Sequence, residues 1–400
     1  MAQWSDYTTG ERLKILRGKD LTQAQLAERT GLSVKTVQKA EQGGTVSLPT
    51  LMCLADGLGT DVSVILGQQA PRRSMGQDER TSLRRIASAV HDTASGLLHA
   101  DSLPADGDEL RRIAERSWSL YWAGLYVELG SLLPRLTQAA AATLRQSPSD
   151  PRGVVRGVLS DAYQIAGCVA NLLGARDLAY AAVGHARAAA ELAEDPLRVA
   201  RVDSARSWVY LRDARLEQAE RIAEKAALSV EPRYSDNHAD QLTVYGNLMV
   251  SAAVAASRRG DSVRSGDFMS QAQAAGARMG RDQHCHGAVF GPATATAEAV
   301  GINLALGETG KALRLIDGLR DLSGLPKAAR YRHQLNVALA QCDARMWDAS
   351  LDTLLDVCTT APEWARHQAL PGVIVQRVGD ASTARVRKLS RILGVSVSMR

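Results

Sequence analysis

The sequence predicts an all-α chain in which a small N-terminal bundle precedes a long array of paired helices, and three observations carry that reading. Hydrophobic residues make up 45% of the 400 positions while aromatics supply only 4%, and Ala, Leu, Arg and Gly fill long stretches, the composition of packed helices. Near the N-terminus, short apolar stripes at helical spacing are bracketed by capping residues and glycines. Further on, an apolar helix, a short turn and an Ala-rich helix recur. The chain is too long for one ordinary core, so residues 1–69 read as one domain, 70–85 as a linker and 86–400 as a second domain.

Between Thr8 and Arg17, Leu13 and Leu16 with Ile15 beside them give one helical stripe, and Gly18 ends it. The run Thr22-Gln23-Ala24-Gln25 has the form of a capping box, in which the threonine hydroxyl accepts an orphan amide and the glutamine reaches back. A second helix starts there with Leu26 and Ala27 facing inward. Gly31 breaks it where the turn needs a positive φ angle. Ser33 caps a third helix, Val34 to Gln42, whose inward residues are Val37 and Ala40. Two short helices joined by a Gly-containing turn make a helix-turn-helix, with small Ala27 where they approach and Leu32 beneath. The stretches from Leu48 to Gly59 and from Val62 to Leu66 read as two further helices closing this core.

The run LTQAQLAERTGLSVKTVQKAEQGG, followed by LPTLMCLADGLGTDVSVIL, resembles the five-helix Xre, or phage-repressor, DNA-binding domain. The resemblance covers about one sixth of the chain. It implies a third helix that lies in the major groove of double-stranded DNA and reads base edges with its N-terminal half, here Ser33, Val34, Lys35, Thr36, Gln38 and Lys39. Lys35 and Lys39 share a face and can donate to guanine O6 and N7 or to phosphate, and Val34 can meet a thymine methyl. Gln23, at the start of the second helix, matches a residue that anchors the DNA backbone in that family. Glu41 and Arg17 match a structural ion pair. Two departures stand out: the link from Arg17 to Leu21 is one residue shorter than usual, and Ala40 replaces a larger apolar residue.

Residues 70–85 lose apolar periodicity and gain Pro, Gly, Ser and five arginines, as a solvated linker does. Beyond it, turns recur near Gly124, Gly174, Asp213, Gly260, Gly307 and Arg345 at unequal spacing. Small residues Ala179, Ala219, Ala312 and Ala349 follow four of these turns, where paired helices must come close. This body is similar to tetratricopeptide-type hairpins, which stack into a superhelix with a concave surface.

The two parts together resemble Xre regulators with a tetratricopeptide-like body, the arrangement of the RRNPP quorum-sensing receptors, and more closely a group of similar length carrying the phrase FGP, here Phe290-Gly291-Pro292. The resemblance implies a homodimer and a short peptide or small-molecule effector. Inner-face asparagines grip the peptide backbone in such receptors, and Asn171, Asn247, Asn303 and Asn336 are the candidates here. They fall at unequal distances from their turns, and locally bonded surface asparagines are an equally good reading. A helical interaction scaffold and a phage-type repressor without effector are the alternatives for the whole chain.

Composition sets further expectations. A net charge of +5 is mild, and residues 1–69 balance seven Lys/Arg against seven Asp/Glu, so charge alone announces no nucleic acid. The five cysteines show no CxxC spacing, which fits a reduced compartment and neither a disulfide framework nor a zinc site. Without a signal-peptide pattern or a membrane-length apolar run, a cytoplasmic location is expected. His284-Cys285-His286 read on a helix would diverge and hold no metal. The stripe Trp118, Tyr121, Trp122 and Tyr126 reads as packing between hairpins, and the basic tail Arg385, Arg387, Lys388, Arg391 and Arg400 as a solvated final helix. No motif of catalysis is present, so no enzyme and no cofactor are expected.

Overall fold

In the computed structural model, the structure describes residues 4, 7–18, 21–67, 77–99, 102–146, 153–233, 235, 238–378 and 383–393. Among these are 21 helices and one two-stranded sheet. Five short helices form the N-terminal unit: α1 (Thr9–Arg17), α2 (Gln23–Thr30), α3 (Val34–Glu41), α4 (Leu48–Gly57) and α5 (Val62–Ile65). Thr8 and Thr22 each close a capping box, with Glu11 and Gln25 reaching back to the cap amide. Ser33, Ser47 and Asp61 cap the next three, so every helix of the unit starts on a side chain that satisfies an orphan amide. Leu13, Leu26, Val37, Leu54 and Ile65 are buried at its centre. Glycine is required at Gly10, where a Cβ would run into the backbone carbonyl of Glu41 and hold α1 off α3.

Helix α6 spans Gln77–Ala94, so residues 77–85 of the stretch read as linker are already helical; residues 68–76 lie outside the described residues. The body then proceeds as packed consecutive pairs: α7 (Gly107–Ala123) with α8 (Tyr126–Gln146), α9 (Val154–Leu172) with α10 (Arg176–Leu192), and α11 (Pro196–Arg212) with α12 (Leu216–Ser229). There follow α13 (Ala239–Arg258) with α14 (Ser262–Met279), α15 (Pro292–Ala305) with α16 (Thr309–Gly318), and α17 (Lys327–Asp343) with α18 (Trp347–Thr360). Three shorter helices end the described chain: α19 (Pro362–Arg366), α20 (Leu370–Val378) and α21 (Thr383–Leu393).

Each pair turns on one residue in left-handed conformation: Gly124, Gly174, Ala214, Gly260, Gly307 and Arg345. Five of the six are the predicted turn residues, and the sixth is displaced by one from Asp213. The close approach after the turn falls on fully buried Ala179, Ala219 and Ala312 as expected. In the last pair it falls on Ser350 instead of Ala349, which is only half-buried. Four pairs also carry a buried serine hydroxyl that donates to a carbonyl of the facing helix: Ser160 to Ala186 at 2.8 Å, Ser207 to Ala219 at 2.7 Å, Ser265 to Ala253 at 3.0 Å and Ser350 to Ala338 at 2.7 Å.

The body does not remain an open superhelix, because its late helices return to its first pair. Trp364 of α19 packs against Gly124, and the Val127 amide donates to Glu363 at 2.8 Å. Helix α17 touches α7.

One segment departs from the all-helical expectation. His284-Cys285-His286 is not on a helix: strands β1 (Gln283–Cys285) and β2 (Ala288–Phe290) pair antiparallel, and the turn between them uses His286 and Gly287, both at positive φ. The tight turn is wedged in place, since Trp122 Nε1 donates to the Gly287 carbonyl at 3.0 Å and a Cβ on Gly287 would overlap the Trp118 ring. The FGP phrase explains itself here. Phe290 is fully buried against Gly246, whose missing side chain makes room for the ring. Gly291 passes so close to Asp282 that no Cβ fits, and Pro292 opens α15. Asp282 accepts the amides of Ala293 and Thr294, both at 2.9 Å, and thereby caps that helix from across the hairpin.

Candidate nucleic-acid interface

The surface that matters is built by α2 and α3. Gly31 adopts φ 68° at the end of α2 and turns the chain back. The Ser33 hydroxyl then accepts the Thr36 amide at 3.1 Å and sits 2.8 Å from the Thr36 hydroxyl, which fixes the first turn of α3. Val37 and Ala40 are buried beneath, and Ser33, Val34, Lys35, Gln38 and Lys39 stand exposed on the outer face, with Thr36 half-buried. Val34 exposes 40% of its surface.

An ion pair locks this helix to its neighbours. Arg17 Nε lies 2.5 Å from Glu41 Oε1 and Nη2 3.1 Å from Oε2, while Nη1 donates to the Leu21 carbonyl at 2.7 Å. The shortened link between Arg17 and Leu21 therefore still permits a two-pronged pair. Gln23 Nε2 donates to Glu41 Oε2 at 2.7 Å, so α1, α2 and α3 meet on one carboxylate. Burial alone would raise the Glu41 pKa, but the bonds from Arg17 and Gln23 and the charges of Arg17 and Lys14 outweigh it and hold the carboxyl below its ordinary range. Gln23 is thus held in place at the N-terminus of α2 with its side chain engaged on Glu41.

A helix-turn-helix family model matches residues 13–65.

The match covers the second half of α1 and all of α2 to α5, and supports a DNA-binding transcription regulator. No curated protein and no solved structure matches the chain. Among the described residues, no helix is long and apolar enough to cross a membrane.

The helix-turn-helix is docked on the body by its α4 and α5 side, opposite in role to the exposed face of α3. Arg212 of α11 donates to the Ser63 hydroxyl at 3.5 Å and stands 4.0 Å from Asp61. Gln376 of α20 donates to the Thr9 hydroxyl. Between the two parts lies a cavity of about 300 Å³, walled by Leu48, Met52, Asp61 and Val62 on one side and by α11, α13, α15 and α17 on the other. Asn247 and Asn336 line it. Asn171 and Asn303 do not: Asn171 is fully buried, donating to the Trp208 carbonyl at 3.3 Å and accepting from Arg176, and Asn303 donates back to the Ala299 carbonyl at 2.8 Å. The aromatic stripe packs edge to face, with Tyr121 5.7 Å from Trp118 and 5.3 Å from Trp122, and Trp122 borders both this cavity and a wider one of about 850 Å³ beside the hairpin. The basic tail helix α21 buries Val386 and Leu389, and Arg385 pairs with Asp348 at 3.0 Å; Arg400 lies outside the described residues.

The cavity's cationic lining escaped the sequence reading. Arg198, Arg201, Arg206 and Arg212 are spread along α11, and periodicity does not say which of them turns inward.

Proposed function

We propose that the chain is a sequence-specific transcription regulator that binds double-stranded DNA as a homodimer on a palindromic operator, with a short peptide or small molecule held in its helical body as effector. Ser33, Val34, Lys35, Thr36, Gln38 and Lys39 face the major groove, with the two lysines and Gln38 reading base edges or neighbouring phosphates. Gln23 anchors the backbone at the N-terminus of α2. The two copies engage half-sites about one helical turn of DNA apart.

The observation that carries this reading is the free outer face of α3: Val34, Lys35, Gln38 and Lys39 are turned to solvent while α4 and α5 of the same unit face the body. The effector reading is supported by the cavity whose wall both parts share, since a ligand there that favours one docking arrangement shifts the population of DNA-binding states. Its action is by binding, without chemistry of its own.

The test is selection of bound fragments from random duplex DNA by the purified chain, with sedimentation of the complex. Enrichment of one palindrome bound by two copies is the expected result. A pool without enrichment overturns the assignment.

A further inference from the structure

The cavity between the helix-turn-helix and the body is lined by four arginines, Arg201, Arg212, Arg258 and Arg332, against two carboxylates, Asp61 and Glu298. Asp61 is already engaged, accepting from the Ser63 amide at 2.8 Å and standing by Arg212. The decisive residue is Arg201. Its side chain is buried, with 7% of the residue exposed, and Nε has no hydrogen-bond partner. No hydrogen bond or ion pair to the rest of its guanidinium is seen among the described residues; it stands over the Trp118 ring, 5.9 Å from the centroid, with Cys168, Tyr121 and Cys285 around it. Asp161, the closest candidate counter-ion, is spent on Arg198 at 2.5 Å. A buried cation without a partner costs stability, and its retention in a wall facing open space points to a partner that arrives from outside.

The surroundings specify that partner. Ser204, one turn along α11 from Arg201, donates to Asn247 Oδ1 at 2.9 Å, which leaves the Asn247 amide nitrogen as a further donor in the lining of the same cavity. Trp208 follows Arg201 by two turns on the same face, about 10 Å on, and Ile302, Val254 and Met52 add apolar lining. Arg212, 6.0 Å over the Trp208 ring, is already engaged with Asp61 and Ser63, so the unpartnered cation at Arg201 with apolar surface beyond it asks for a ligand that joins an acidic group to an apolar body.

We propose that this cavity binds an amphipathic organic anion, its acidic group taken by Arg201 and Asn247 and its apolar body laid along Trp208 toward the wall formed by α4. The proposal names the chemical class of the effector and rests on the effector reading above only for its consequence on DNA. Its size, about 300 Å³, fits a small molecule or the C-terminal end of a peptide, whose carboxylate offers the same chemistry.

The experiment compares two fluorescent probes of one skeleton on the full chain: 8-anilinonaphthalene-1-sulfonate, and N-phenyl-1-naphthylamine, which lacks the sulfonate. Saturable binding of one sulfonate probe per chain is expected, at least tenfold tighter than that of the neutral probe. Arg201→Met weakens the sulfonate at least tenfold without lowering the melting temperature, and Arg201→Lys falls between. Equal affinity of the two probes in the unaltered chain, absence of saturable sulfonate binding, or unchanged binding in a folded Arg201→Met chain each overturns the site. Competition by free carboxylates of similar shape, against a short peptide and its C-terminal amide, separates the two sources. Affinity for the selected operator is measured apart, with and without bound probe; a value that does not move overturns the effector reading while the anion site stands.

Discussion

The guanidinium of Arg212, at the end of α11, stands 4.0 Å from the carboxylate of Asp61, the cap of α5. Asp61 belongs to the DNA-reading unit and is buried; Arg212 belongs to the body and is half-buried. Burial raises the Asp61 pKa, but the charges of Arg212 and Arg258 and the Ser63 bonds prevail and keep it below the ordinary carboxylate range. Asp61→Asn retains the capping geometry, because asparagine caps as well as aspartate, and removes only the charge. We expect a loss of about 1–3 kcal/mol in urea titrations, and less than additive loss when Arg212→Met is combined with it.

The same carboxyl sets a pH dependence, together with Glu41. Both have folded pKa values depressed below their unfolded ones, so their contributions are fully present at neutral pH. They are lost as pH falls below the ordinary carboxylate range and through the lowered values. Melting curves taken across that acid window are expected to fall steeply, and the fall is to be shallower in Asp61→Asn.

Removing Lys35 and Lys39 together by alanine leaves α3 intact, because both side chains are exposed and neither caps nor packs the core. Operator affinity drops, and the slope of log affinity against log salt flattens by roughly 1 for each lysine that touches a phosphate. Gel-shift titrations at several salt concentrations read both quantities; an unaltered slope and affinity would refute the assignment.

Arg17→Met leaves Glu41 buried with Gln23 as its remaining partner. Breaking a buried pair from one side costs about 3–5 kcal/mol, a large share of what a unit this small can supply. DNA binding is expected to fail through loss of the α1 to α3 register, visible as an early, separate transition in a melting curve. Gln23→Ala is milder in stability yet weakens DNA binding, which separates its two contacts.

Ala214 and Arg345 occupy left-handed conformations at φ 56° and 62°, where glycine is at ease and a Cβ is strained. Replacing either by glycine is expected to stabilise the body by about 1 kcal/mol, whereas Gly260→Ala, with open space around it but φ 78°, costs a similar amount. Denaturant midpoints of the three variants check the sign.

The reading unit was legible from sequence because each of its helices begins on a capping side chain and ends on a backbone demand: Thr22 with Gln25, Gly31 and Ser33 are local signals that no distant contact can mask. Turn positions in the body were legible for the same reason, and the slip from Asp213 to Ala214 arose because no glycine marks that turn. The hairpin at 283–290 was hidden, since strands of three residues show no alternation and are held by Trp118 and Trp122 from far along the chain. Asn171 and Asn303 failed to reach the cavity for an equally physical reason: Asn303 bonds back to the Ala299 carbonyl one turn earlier on its own helix, and Asn171 is taken by the Trp208 carbonyl of neighbouring α11. Arg201 was missed because whether a long cation is buried depends on the helices that surround it.

The serine hydroxyls that bridge the paired helices have a mechanical consequence. Sliding one helix of a pair along the other by a single residue would strand Ser160, Ser207, Ser265 or Ser350 in an apolar slot with its donor unmet. Those four pairs are therefore pinned in register, whereas among the described residues the joints from one pair to the next carry no such serine bridge to a backbone carbonyl.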